Sequence, residues 1–162
     1  DVQFFLPRAH TIERSELEAF ISERKVPVTV TEDHTYDLMQ ICDVCLAASG
    51  TATLETAMME LPTVLLYKVS PITYGIGKMV VNLTHVGLPN IVAGKEVIPE
   101  LLQDDVSVDA IVNTVLPLLD DLQVNQRMRT ELRSVRDKLG EPGAVNRVAQ
   151  LIYNLGKENI DE

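Results

Sequence analysis

Ala47-Ala48-Ser49-Gly50-Thr51-Ala52-Thr53-Leu54-Glu55 decides the fold of this chain. It follows the short apolar run Asp43-Val44-Cys45-Leu46 and opens into Thr56-Ala57-Met58-Met59-Glu60. A buried strand is therefore expected to end in a turn of small residues that becomes the start of a helix. Small residues let a ligand approach the backbone closely, and a helix start presents unpaired N–H groups and a partial positive charge. Such a place suits a phosphate or diphosphate. Glu55, one turn in, is placed to accept hydrogen bonds from a sugar hydroxyl. The same residues also suit an ordinary strand-to-helix turn with Ser49 or Thr51 as N-cap. Glu55 would then merely complement the helix dipole on a solvated face.

Outward from this turn, strand and helix alternate. Val2 to Leu6 reads as a strand ended by Pro7, Arg14 to Arg24 as a helix, and Val26 to Val30 as the next strand. Tyr36 to Ile41 is a short helix, Asp43 to Ala47 a strand, Thr51 to Glu60 a helix, and Thr63 to Tyr67 a strand entered by Pro62. The strands are continuous apolar runs, which points to a parallel sheet covered on both faces by helices. Beyond Tyr67, Ile72, Ile76, Met79, Val80 and Leu83 fall on one helical face. Val86 to Gly94 reads as a loop, and Pro99 as the start of a short helix. Three amphipathic helices follow, carrying Val108 to Leu119, Val124 to Leu139 and Val145 to Leu155. Pro117 should bend or end the first, Gly140 should stop the second and Gly156 the third.

The 162 residues suit one domain, and 46% apolar with 23% charged is ordinary globular material with an aliphatic core. A net charge of −10 argues against nucleic acid as a partner, because that needs a Lys/Arg footprint. It leaves local anion binding open. Cys42 and Cys45 have C-x-x-C spacing, but they lie where a helix ends and a strand begins. Redox pairs sit at helix N-termini, so these are read as buried, reduced, structural thiols in a cytosolic setting. The three histidines, His10, His34 and His85, show no ligand spacing, and no metal site is read. The chain opens Asp1-Val2-Gln3-Phe4-Phe5 without a basic n-region, so no leader is read, and it reads as a piece of something longer.

The turn, taken with the blocks that follow it, resembles the nucleotide-sugar motif of the lipid-A-disaccharide synthase family. Those blocks are Leu61-Pro62-Thr63-Val64, Tyr67-Lys68, Leu88-Pro89-Asn90-Ile91-Val92-Ala93-Gly94-Lys95-Glu96 and Pro99-Glu100-Leu101-Leu102-Gln103. Their order and spacing are similar to the family from about Thr29 to Leu151. The resemblance implies the Rossmann-like, carboxy-terminal donor lobe of a GT-B glycosyltransferase, with residues 1–155 as the UDP-sugar-binding lobe and 156–162 as a disordered tail. The family's reaction moves a diacylated glucosamine from UDP to a diacylated glucosamine 1-phosphate, with inversion and without a cofactor. It belongs to lipid A assembly in Gram-negative bacteria, on the cytoplasmic face of the inner membrane.

What the resemblance implies for residues is specific. Backbone N–H groups of Gly50, Thr51 and Ala52, with the hydroxyls of Ser49 and Thr51, would stabilise the leaving diphosphate. Glu55 would hold the ribose hydroxyls, and Asn90 would stand near the donor. Tyr67, Lys68, Lys95, Glu96 and Arg8 are weaker cleft candidates, since ligands of open α/β sheets sit beyond the carboxyl ends of the strands. No catalytic residue is expected in this chain. The family's amino-terminal acceptor lobe, its acidic base and its diphosphate-binding arginine are not among these residues, so the chain alone is expected to be inactive. Self-association or a homodimer through the carboxy-terminal helices is a further expectation. Two alternatives stay open: the UDP-sugar lobe of a peptidoglycan N-acetylglucosaminyl transferase or a UDP-N-acetylglucosamine epimerase, and a non-catalytic nucleotide-binding or interaction module.

Overall fold

The computed structural model describes residues 2–48, 50–70 and 84–158. The elements run β1 (Phe4–Pro7), α1 (Arg14–Arg24), β2 (Val28–Thr31), α2 (Thr35–Ile41), β3 (Cys45–Ala48), α3 (Thr51–Met58) and β4 (Thr63–Tyr67). Then come α4 (Leu88–Ala93), β5 (Glu100–Leu102), a single 3₁₀ turn at Gln103–Asp105, α5 (Val108–Asp120), α6 (Leu122–Leu139) and α7 (Ala144–Glu158). The protein is an α/β structure with parallel sheets flanked by helices. The strands form two groups: β1 pairs with β2, and β4 lies between β3 and β5. All three pairings are parallel, with Leu46 beside Val64 and Leu66 beside Leu101. Their carboxyl ends share an edge within each group, and in the larger group that edge carries the Gly50 turn, Tyr67 and Gln103.

The core lies on the face of the three-stranded sheet that α6 covers. Leu132 and Val135 of α6 are buried against Ala57 of α3, Leu65 of β4, and Val97 and Ile98 ahead of β5. This arrangement follows from sequence: β4 is buried from Thr63 to Leu65, and α6 turns an apolar stripe inward while its other face is charged. Asp121 caps α6 by accepting from the N–H groups of Gln123 and Val124. At the far end of α3 the chain turns through Glu60, which has φ 53°. The N–H of Glu60 reaches the carbonyl of Ala57 at 3.0 Å and that of Leu61 reaches Thr56 at 2.9 Å, a Schellman closure. Glycine normally takes this position. Here Arg133 pins the Glu60 carboxylate at 2.7 and 3.0 Å, Arg136 joins it, and Arg129 donates to the Glu60 carbonyl.

Three sequence expectations change. Val86 to Gly94 is not a loop, because Leu88–Ala93 is helical with proline in its first turn, where the missing N–H costs nothing. The segment after Pro99 is a strand rather than a helix: Leu65 donates to the Pro99 carbonyl at 2.9 Å, drawing Glu100–Leu102 into the sheet. Of the two outcomes expected of Pro117, ending the helix does not occur, since α5 continues to Asp120. Gly156 does not end α7, which continues to Glu158. The apolar stripe from Ile72 to Leu83 lies outside the described residues. Several apolar side chains of α7 stay exposed, among them Val145, Val148, Leu151 and Ile152, as do Phe4 and Phe5 of β1.

Candidate functional site

The candidate site is the carboxyl edge where β3 passes into α3. Gly50 caps α3 with φ 133° and ψ −163°, a conformation that is essentially closed to residues with a Cβ. Among the described residues a Cβ built there meets nothing within 4 Å, so it is the backbone conformation and not crowding that requires the glycine. No side chain of the cap residue satisfies the helix start. Thr51 and Ala52 are exposed beside it. Behind the turn, Thr53 is fully buried and ties back to the Gly50 carbonyl through its hydroxyl at 2.8 Å and its N–H at 3.3 Å. Thr56, equally buried, donates to the Thr53 carbonyl. These two threonines brace the turn from within. Ser49 lies outside the described residues.

Glu55 is half-buried one turn along α3, and Tyr36 of α2 donates its phenol to Glu55 Oε2 at 3.3 Å. Tyr36 was not among the residues singled out from sequence; a contact nineteen positions apart leaves no local signal.

Asn90 departs most from expectation. It is fully buried, and its amide is saturated. Its Nδ2 donates to Ile98 O at 2.8 Å and Glu100 Oε1 at 2.7 Å, and its Oδ1 accepts from the N–H groups of Val97 and Ile98 at 2.7 and 2.9 Å. An amide offers two donors and two acceptor sites, and all four are used. Asn90 thus shapes the segment that bears Lys95 and Glu96. Glu100, missed from sequence, completes the knot by accepting from Val86 and Gly87 N–H ahead of α4.

The weaker candidates scatter. Arg8 is mostly buried and clamps the β1–β2 edge, donating to Glu32 at 3.0 Å and to the Ile12 carbonyl at 2.6 Å. The Arg8 hydrogen bond, followed by its charge, holds the Glu32 carboxyl below its ordinary range. Lys95 pairs with Glu131 of α6 at 2.7 Å. Glu96 and Lys68 are exposed, and Tyr67 packs against the core. Gln103, at the end of β5, holds the Val69 N–H at 3.1 Å. Cys42 and Cys45 are unbonded to each other; burial, with Cys42 adding to it, pushes the Cys45 thiol up to about 11. Such thiols are poor nucleophiles. A hollow of about 260 Å³ lined by Asp43, Leu118 and Arg129 lies at the amino end of β3, opposite the turn. Among the described residues no three metal-binding side chains gather, and no helix is long and apolar enough to cross a membrane.

A braced helix start capped by a glycine, with a carboxylate one turn in, on the carboxyl edge of a parallel sheet, can hold a diphosphate and a neighbouring diol. Residues 1–153 match the family model described as lipid-A-disaccharide synthetase. The chain is 43% identical over 159 residues to the lipid-A-disaccharide synthase of Geobacter sulfurreducens, covering 98% of this chain and 41% of that protein. It is 40% identical over 158 residues to that of Geobacter metallireducens, covering 97% and 41%. With that of Nitrosococcus oceani it shares 38% over 161 residues, covering 99% and 41%. The chain therefore spans about two fifths of the length of these curated relatives. With the family's model running almost from end to end, the chain belongs to the lipid-A-disaccharide synthetase family.

Proposed function

We propose that this chain is the donor-nucleotide-binding lobe of an inverting glycosyltransferase that moves diacylglucosamine from UDP to a diacylglucosamine 1-phosphate. The observation that carries it is the Gly50 turn: a helix start whose cap glycine meets no described residue within 4 Å, with Glu55 one turn along. Expelling UDP requires negative charge to be stabilised on the diphosphate as the glycosidic bond breaks. The N–H groups of Gly50, Thr51 and Ala52 supply fixed donors for that charge, with the Ser49 and Thr51 hydroxyls beside them, and the dipole of α3 adds to them. Glu55 accepts from the ribose diol, which sets how deep the nucleotide sits. Asn90 and Glu100 hold the segment that carries Lys95 and Glu96 at the cleft rim.

The base that deprotonates the acceptor, and the acceptor lobe itself, belong to the part of the relatives' length that this chain does not span. The exposed apolar residues of α7 suit docking to that lobe or to a second subunit, and the whole protein is assigned to the cytoplasmic side of the inner membrane. Residues 1–155 act as one lobe. Isothermal calorimetry of UDP binding to the full-length polypeptide, with and without Glu55→Ala, tests the assignment. The variant is expected to bind UDP about 10- to 100-fold more weakly, since one hydrogen bond to a charged group contributes roughly 1.5–3 kcal/mol. Unchanged binding overturns the role of Glu55.

A further inference from the structure

The strand β2 ends in a turn that is costly to form. Asp33 has φ 57° and His34 has φ 51°, two successive non-glycine residues in the left-handed region. Such residues persist only where their surroundings over-determine them. The turn sets where α2 begins, since His34 is its N-cap and accepts from the Leu38 N–H at 3.0 Å. One residue into α2 stands Tyr36, whose phenol reaches Glu55 Oε2 at 3.3 Å. Tyr36 is 55% exposed, so this bond is not a by-product of core packing. It links α2, which follows β2, to α3, which follows β3.

Resting on the donor-site reading above, we infer that Tyr36 is a positioning residue: its hydroxyl fixes the Glu55 carboxylate in the orientation that accepts the ribose diol of a nucleoside diphosphate. The chemistry suits the task. An ionised carboxylate offers about four acceptor sites, and a single phenol occupies one of them. A neutral donor leaves the carboxylate its charge, so its bonds to ribose hydroxyls remain charge-assisted. A lysine or arginine in the same place would pair with Glu55 and compete with the ligand. Fixing the carboxylate before the ligand arrives removes part of the ordering cost of binding.

The test measures affinities of the full-length polypeptide for UDP and for 2′,3′-dideoxy-UDP, which lacks the diol. Four proteins are compared: the unaltered chain, Glu55→Ala, Tyr36→Phe and the double variant. Tyr36→Phe is expected to weaken UDP binding about 3- to 10-fold, the range of one net hydrogen bond, and to leave dideoxy-UDP binding unchanged. In the Glu55→Ala background it should have no further effect, as a coupled pair requires. If Tyr36→Phe keeps the full preference for UDP, or weakens both ligands alike, the inference is overturned while the Glu55 assignment stands. If the unaltered chain shows no preference for UDP, or Glu55→Ala retains it, the ribose reading itself fails and the inference with it.

Discussion

Asn90 Nδ2 lies 2.7 Å from Glu100 Oε1, and through this bond a short helix and a short strand become one unit. The same amide closes on the Val97 and Ile98 backbone, so a single side chain folds the segment Leu88 to Glu100 back on itself. Asn90→Ala leaves two buried N–H groups, a buried carbonyl and a carboxylate short of partners. A loss of about 2–4 kcal/mol is expected, because each unsatisfied buried group costs about 1–3 kcal/mol and some will rehydrate. The midpoint of urea unfolding measures it; a loss under about 0.5 kcal/mol, the ordinary range of an exposed substitution, contradicts the role.

Gly50→Ala tests the turn. The added methyl has room, but φ 133° with ψ −163° does not suit alanine. Either the turn holds and stability falls by about 1–3 kcal/mol, or the turn moves and the amide donors leave their places. The first outcome shows as lost stability, the second as weakened UDP binding. A variant with unaltered stability and unaltered UDP affinity contradicts the account.

The local structure around the turn is legible in the sequence. The passage from β3 through small residues into α3 was visible because its information is local: an apolar run, a glycine, then helix formers. The structural role of Asn90 is not legible in the sequence, because its partners stand eight and ten positions away, beyond any local pattern. Its loop was in fact a helix, since Pro89 starts a helix as well as it stiffens a loop. The strand at Glu100 escaped because three residues carry no periodicity, and only the neighbouring β4 makes them a strand. Tyr36 escaped for the same reason as Glu100: its meaning lies in a contact between two helices.

The Glu60 cluster predicts a pH dependence. The Arg133 hydrogen bond is the largest cause lowering the Glu60 carboxyl, and the charges of Arg136, Arg133 and Arg129 add to it against partial burial. A folded value below the unfolded one means the unfolded chain takes up its proton first. The stabilisation is therefore complete above the ordinary carboxylate range near pH 4–5 and is lost as pH falls through the folded value. Glu60→Gln should be less stable than the unaltered chain at pH 7, and the gap should narrow steadily below about pH 4. Thermal unfolding across that range checks it; a gap that stays constant with pH contradicts the assignment.

The Cys45 thiol predicts slow chemistry. Raised from 9.0 to about 11, it holds about a hundredfold less thiolate at a given pH than an exposed cysteine. A thiolate of higher pKa is itself more nucleophilic, so iodoacetamide at pH 8 should label Cys45 about tenfold more slowly in the folded chain than in urea, as mass spectrometry of the labelled peptide reads out. Equal rates contradict its burial.

The central claim is that the Gly50 turn receives a nucleoside diphosphate, and amide NMR of the chain during UDP titration tests it most directly. Shift changes concentrated from Ser49 to Glu55, reaching Tyr36 and the segment around Lys95, are predicted. Changes confined to other surfaces, such as the hollow beside Arg129, or no change at millimolar UDP, would contradict it.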